Sequence, residues 1–331
     1  MPRESQLVEK IARALVPHRS AASRLKIGIG DDAAIISTPA RTEWVLSCDT
    51  FLENVHFRMQ THPPDAVGYK ALARATSDLG AMGATPRYFL LTLALPNART
   101  GLWLEAFLKG MARAARELSI TAIGGDTTQS RTVFVSITVL GEITPSRALT
   151  RSGARPGDII YVSGKLGRAQ LGLELVLRGH ACDRRLRALV QPHLYPKIRV
   201  ELSSWLAQQR IATSAMDLSD GLSTDLARLC IASQVGAKIY TSKVPGAAIP
   251  AAAARKLGQR KLDPLQRALH GGDDYELLFT VPPRQTKKLS RAPGAAALTA
   301  IGEITSDRQI LLVAPDGKTK PLKSQGWDPF R

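Results

Sequence analysis

Ten aspartates of this sequence, Asp31, Asp32, Asp49, Asp78, Asp126, Asp217, Asp220, Asp225, Asp273 and Asp274, fall in stretches that also carry Gly, Ser or Thr beside apolar residues. Aspartates of solvated loops usually have Lys, Glu or Pro around them instead. A carboxylate at the edge of a core is costly unless it is paired or bound to a metal. In "WVLSCD" the strand period of two sets Val45, Ser47 and Asp49 on one face and Trp44, Leu46 and Cys48 on the other. A hydroxyl and a carboxylate two residues apart can then share one cation. "MDLSDG" repeats the device with Asp217 and Ser219, and Asp220 begins the turn into a helix. Asp78 stands late in an Ala-rich helix, where small neighbours let the backbone approach a ligand. All of these donors are oxygens, with no His or Cys among the clusters, which selects a hard cation, Mg²⁺ ahead of Ca²⁺ or Mn²⁺.

Taken singly, each motif has a plainer meaning. A "DD" after Gly makes a turn or cap, "SDG" at a strand end makes a helix N-cap, and "GGD" marks a tight turn. Five such stretches at strand ends in one chain are what favour a shared purpose. Several oxygen-only sites suggest phosphate chemistry, because Mg²⁺ commonly arrives bridging substrate phosphates. Yet no GxxxxGK[ST] loop is present, since "SGKLGRAQ" (163–170) has the wrong spacing. Nor is there a protein-kinase HRD or DFG set. ATP, if bound, is bound through metals, glycine amides and arginines.

The elements that must position these residues alternate. "ESQLVEKIARAL" (4–15) reads as a helix, "AAIIS" and "EWVLSCD" as strands, and residues 64–84 as a helix opened by Pro64 and Asp65 and closed by Gly83. There follow a strand "YFLLTLALP", a helix from about Leu102 to Leu118, a short strand into "IGGDTT", and a strand "RTVFVSITVLGEI". "TRSGARPGDIIYVSG" is rich in Gly, Pro and Ser and marks a domain boundary, giving domains 1–150 and 151–331. The second half again mixes strands and helices, with "IATSAMDLSDGLSTDLARLC" turning from strand to helix. The fold class is α/β (α+β) with two domains.

Composition bounds the rest. At 331 residues with 44% hydrophobic and 22% charged residues, the chain reads as an ordinary globular protein. No apolar run approaches the ~20 residues of a membrane span. The charged, amphipathic N-terminus has no secretory h-region, and Cys48, Cys182 and Cys230 form no CxxC or disulfide pattern. A cytoplasmic location is expected. The net charge of +17 fits nucleic acid, an anionic small substrate or simply a basic proteome, and charge alone does not choose among them. Aromatics are only 5% and no basic stripe alternates with them, which argues against a nucleic-acid partner.

The motifs "GIGDDAAII", "SCDTFLENVHF", "KALARATSDLGAMGATP", "IGGDTT", "LTRSGARPGD", "DLSDGLSTDL", "GGDDYELLFTVP" and "GWDPF" occur in this order across nearly the whole chain. Together they resemble the thiamine-monophosphate kinase family, of the ATP-binding superfamily of aminoimidazole ribonucleotide synthetase and selenophosphate synthetase. The resemblance implies that superfamily's fold: an N-terminal domain forming the sheet of a homodimer and a C-terminal three-layer α/β domain. It implies several Mg²⁺ ions held by Asp32, Ser47, Asp49, Asp78, Asp126 and Asp217, with Asp220 at a further site. ATP would contact Gly125, Asp126, Arg151 and Ser219, while His56, Asp273 and Trp327 would bind thiamine monophosphate. Three departures stand out. Cys48 replaces the usual Thr, and a thiol is a poor Mg²⁺ ligand, so only its carbonyl could serve. Asp273 replaces Glu, shortening its reach by one methylene, and Pro329 replaces His.

The implied reaction is direct in-line transfer from ATP to thiamine monophosphate, with no general base, because the attacking phosphate oxygen is already anionic. The obstacle is repulsion: two unit charges at ~4 Å cost about 4 kcal/mol at an effective dielectric of 20. The aspartates would gather cations against it. Among rivals, selenophosphate synthetase expects a reactive Cys or selenocysteine before Cys48, and the hydrogenase-maturation enzyme expects a C-terminal Cys. A basic nucleic-acid binder would leave the aspartate set unexplained.

Overall fold

The computed structural model describes residues 10–11, 13–15, 25–27, 35–36, 40–258 and 263–328. Two compact units divide the chain: residues 1–79 with 84–146, and residues 80–83 with 147–331. "GIGDD", and with it Asp31 and Asp32, lies outside the described residues, as do residues 4–9 of the expected first helix and Pro329.

Residues 10–11 and 13–14 of the expected first helix are helical, and a short antiparallel pair follows, β1 (Leu25–Ile27) and β2 (Ile35–Ile36). Then come β3 (Glu43–Leu52), α1 (Pro64–Ala81), β4 (Thr85–Leu95), α2 (Leu102–Glu117), β5 (Thr121–Gln129) and β6 (Phe134–Ile143). The sheet order is β3-β6-β4-β5, antiparallel except for the parallel β4–β5 pair. Its inner face is built from Val135, Ile137, Val139, Leu91 and Leu93, all buried. Helices α1 and α2 cross backbone to backbone through glycine. A Cβ on Gly68 would lie 1.9 Å from the Phe107 carbonyl oxygen, and one on Gly110 1.8 Å from that of Asp65. Ala71, Ala73 and Ala75 of α1 are buried, so the Ala-rich pattern is a close-packing surface.

The GGD of "IGGDTT" is not a turn. The strand runs through it, held by pairing with β4 at Leu90↔Gly124, Leu91↔Gly125 and Thr92↔Asp126. Glycine is required here because a Cβ on Gly125 would meet the Leu91 carbonyl oxygen at 1.9 Å, and its φ is +150°.

The second unit contains β7 (Ile159–Ser163), α3 (Arg168–Val176), α4 (Arg187–Leu194), α5 (Val200–Gln208), β8 (Ser214–Leu218), α6 (Leu222–Ser233) and β9 (Gly236–Tyr240). It continues with α7 (Ala251–Leu257), α8 (Pro264–His270), β10 (Glu276–Val281), β11 (Leu298–Thr305), β12 (Ile310–Val313) and β13 (Thr319–Pro321). Its seven strands order as β13-β12-β9-β11-β7-β10-β8, with β9–β12 the parallel pair. Leu222, Leu226, Leu229 and Cys230 of α6 join Val162, Met216, Leu278 and Ile301 in the core. The Cys230 thiol is pushed up to about 12 by burial, so it is no nucleophile. Among the described residues, no helix is long and apolar enough to cross a membrane.

Candidate active site

In the first unit, β3 alternates as its sequence reads. Leu46, Cys48 and Thr50 are exposed, while Ser47, Asp49 and Phe51 turn the other way, toward α1. There the Ser47 hydroxyl donates to the Asp78 carboxylate. Asp49 accepts from Arg74, one helical turn before Asp78, at 2.8 Å from Nε and 3.4 Å from Nη2. The Arg74 guanidinium also lies 5.3 Å over the Phe51 ring. Ser47, Asp49 and Asp78 are therefore brought together, in the company of a cation from the chain itself.

Cys48 faces away from them, its sulfur 3.5 Å from the hydroxyls of Ser136 and Thr138. Asp126 is also apart. The row through Asp49 runs Ile137, Leu91, Gly125, whereas Asp126 shares its row with Thr92, Ser136 and Thr50. Neighbouring residues in a strand point to opposite faces, so Asp126 faces the side opposite to Asp49. The two also stand on opposite edge strands, about 14 Å apart along the sheet at ~4.8 Å per strand. Among the described residues, no three His, Cys, Asp or Glu side chains gather into a metal-sized group.

His56 follows β3 and stacks on Phe51 at 5.5 Å. Its Nδ1 accepts from the Leu52 amide at 3.0 Å, which puts the proton of the neutral ring on Nε2. Beside it, the ends of β3, β4, β5 and the start of β6 border an open depression of about 430 Å³, lined in part by Glu53, Val55, Ala94, Thr128 and Gln129.

In the second unit, Asp217 lies buried at the end of β8. The following Ser219-Asp220-Gly221 turn is organised by Asp225, a fully buried carboxylate of α6. Asp225 accepts from the amides of Asp220 and Gly221, both at 3.0 Å, and from Arg228 at 3.0 Å. Arg228 also pairs with Asp220. Burial first, then the charges of Asp217 and Asp220, push the Asp225 carboxyl up to about 7.

Two other segments lie on that turn through their backbones. Asp273 N donates to Ser219 O at 2.8 Å, and Trp327 N donates to Asp220 O at 3.0 Å. Asp273 adopts a left-handed φ of +68°. Its carboxylate accepts from the Tyr275 hydroxyl at 2.9 Å and lies 3.5 Å from the buried His193. Asp274 turns inward onto the amides of Gly167 and Ala169 at the N-terminus of α3, at 2.5 and 2.9 Å. Burial outweighs those donors and pushes its carboxyl up to about 7. Ser219, Asp220, Asp273 and Trp327 are thus neighbours along the backbone, and Asp217 lies buried two residues before Ser219. Arg151 is exposed and follows Thr150, whose carbonyl accepts from Ala215 of β8 at 2.9 Å. Asp225 stands among the ten aspartates singled out in the sequence, whereas Arg74, His193 and Tyr275 are not legible there as site residues, since an arginine in a helix and a buried histidine have ordinary structural meanings.

Two units of this topology, carrying acids at their strand ends, define an AIR synthase-related protein. Residues 30–143 match the AIR synthase related protein, N-terminal domain, and residues 155–313 the corresponding C-terminal domain. Within that class the chain belongs to the thiamine-monophosphate kinase family. It is 37% identical over 324 residues to thiamine-monophosphate kinase of Escherichia coli K12, covering 97% of each chain. The crystal structure of thiamine-monophosphate kinase from Stenotrophomonas maltophilia K279a is similar with a TM-score of 0.78 at 35% identity, covering 94% of this chain and 96% of that one. AaThiL complexed with AMPPCP and TMP is similar with a TM-score of 0.76 at 31% identity, covering 98% and 97%.

Proposed function

We infer that this chain transfers the γ-phosphoryl group of ATP to thiamine monophosphate, giving thiamine diphosphate and ADP. The observation that carries the reading is the surface around the 219–221 turn. There Ser219 and Asp220 accept backbone hydrogen bonds from a left-handed aspartate, Asp273, and from Trp327, so that three distant segments meet beside the buried Asp217. It is supported by the full-length similarity to a protein that holds an ATP analogue and TMP.

Ser47, Asp49 and Asp78 in the first unit, and Asp217 and Asp220 in the second, are oxygen donors suited to Mg²⁺. Mg²⁺, when bound, neutralises facing phosphates and favours in-line displacement. Asp225 fixes the turn that presents Ser219 and Asp220. Asp273, held by Tyr275 and His193, and the half-exposed Trp327 ring offer a carboxylate and an aromatic face to the positively charged thiazolium of the acceptor. His56 can donate from Nε2 to its phosphate. An oxygen of that phosphate attacks the γ-phosphorus, the bond to the ADP oxygen breaks, and no proton need move.

The active form is a homodimer through the outer face of the four-stranded sheet. Leu46 is 61% exposed there, Trp44, Leu90 and Leu140 are only partly covered as they pack on the buried Tyr88 and Ile123, and the buried Trp44 indole N–H has no acceptor among the described residues. A second copy on this face would also bring its Asp126, which faces the same side, to a site that Asp126 of the same chain cannot reach. Cytoplasmic residence and no need of a nucleic acid complete the reading. Incubation with ATP, Mg²⁺ and thiamine monophosphate, followed by chromatography, should yield thiamine diphosphate, and none from thiamine or pyridoxal. No product from thiamine monophosphate would refute the assignment.

A further inference from the structure

Arg74 joins α1 to β3 at the point where the first unit collects its acids. Two parallel links bridge helix and strand: Asp78 to Ser47, and four residues earlier Arg74 to Asp49. Residues four apart share a helix face, and residues two apart share a strand face, so all four groups look into one space. The guanidinium is not a loose surface cation. Its side chain is 17% exposed, its Nε and Nη2 engage both Asp49 oxygens, and the Phe51 ring backs it. Arg retains its charge at any working pH, so Asp49 has a permanent counter-ion.

We propose that Arg74 competes with a divalent cation for Asp49 and thereby sets how much divalent metal the enzyme requires. The inference rests on the reading of Asp49 as a cation ligand. A guanidinium on both oxygens occupies lone pairs that an ion would use, and its charge repels an incoming dication at close range. Where a metal on Asp49 carries substrate phosphates, Arg74 would also set a positive charge beside them, so its loss tightens metal binding while slowing turnover. A simple strap between helix and strand would do neither.

The test uses Arg74→Met, which retains the aliphatic stem on Phe51 and removes the charge, and Arg74→Lys, which retains the charge without the fork. Mn²⁺ binding to the nucleotide-free protein is read from the electron-paramagnetic-resonance signal of free Mn²⁺, with Asp49→Ala alongside. Arg74→Met should bind Mn²⁺ about tenfold tighter than the parent, with Arg74→Lys close to the parent. Its kcat should fall while its half-saturating Mg²⁺ also falls. Superimposable Mn²⁺ isotherms for parent and Arg74→Met, with Asp49→Ala losing a site, would overturn the inference alone. An Asp49→Ala isotherm identical to the parent's would remove Asp49 from the ligands and the inference with it. If Arg74→Met does not fold, Arg74→Gln carries the same expectations.

Discussion

Gly326→Ala isolates the contribution of the C-terminal segment to acceptor binding. Gly326 has no unusual φ, so the substitution acts through space alone. Its Cβ would lie 1.9 Å from the carbonyl oxygen of Asp220 and 2.7 Å from the hydroxyl of Thr224. The first is backbone and cannot rotate away, so residues 325–327 must lift by about 1 Å or more. That movement breaks three hydrogen bonds: Gln325 N to Ser223 Oγ at 3.3 Å, Gly326 N to Thr224 Oγ1 at 3.1 Å, and Trp327 N to Asp220 O at 3.0 Å. At a net ~1 kcal/mol each, docking is weakened by up to ~3 kcal/mol. If acceptor binding requires the docked segment, the Michaelis constant for thiamine monophosphate rises by up to about 100-fold. The constant for ATP should change little, and the melting temperature should hold, because the segment is peripheral to the core. Steady-state kinetics in both substrates provide the assay, with amide exchange at residues 325–327 as proof of release. A released segment with an unchanged constant for thiamine monophosphate would remove Trp327 from the acceptor site.

Asp49→Ala and Asp217→Ala should each abolish turnover in a metal-replete assay while the circular dichroism stays native. Near-parental activity in either would exclude that carboxylate. His56→Ala should raise the Michaelis constant for thiamine monophosphate more than that for ATP, and equal effects would take His56 out of the acceptor site. The Asp274 carboxyl has an ordinary value of 3.8 and stands at about 7 in the fold. Between these values the folded state holds a proton that the unfolded chain has released. Its contribution is therefore complete at low pH and lost as pH rises through 7, by up to ~4 kcal/mol. The melting temperature of the parent, relative to Asp274→Asn, should accordingly rise from pH 8 to pH 5. A constant difference would refute the assignment.

The parts of the molecule legible in the sequence are those governed by local periodicity. The alternation in "WVLSCD" sorts Ser47 and Asp49 from Cys48, and the structure preserves that sorting: Ser47 and Asp49 are partly covered on the α1 side while Leu46, Cys48 and Thr50 are exposed. The end of α2 is likewise found within a residue of where the apolar pattern stops. What was not legible depends on distant partners. Glycines are poor strand formers, so "IGGDTT" reads as a turn until β4 is alongside to pair with it. The ten aspartates look alike in sequence, yet Asp225 and Asp274 anchor backbone amides, the latter on α3 more than a hundred residues away. Glu276 shows the same limit. It reads as an ordinary polar residue at a strand start but is buried between Ser163 and a bidentate Arg199, with both arginine contacts at 2.6 Å.

The separation of Asp49 and Asp126 leads to a test of assembly. Opposite faces and opposite edges of one sheet prevent their side chains from sharing an ion within a chain. If both serve one site, the second must come from the other copy. Asp49→Ala and Asp126→Ala would each be inactive as homodimers. In a heterodimer of the two, one site collects both lesions and the other collects none. Co-expression with two affinity tags and double purification should therefore recover about half of the parental activity. Were the residues to act within one chain, each site of the heterodimer would carry one lesion and no activity would return. Asp49→Ala co-expressed with Asp49→Asn controls for exchange, because that pair contains no intact site under either arrangement. An inactive but verified Asp49→Ala/Asp126→Ala heterodimer would refute completion of the site by the partner.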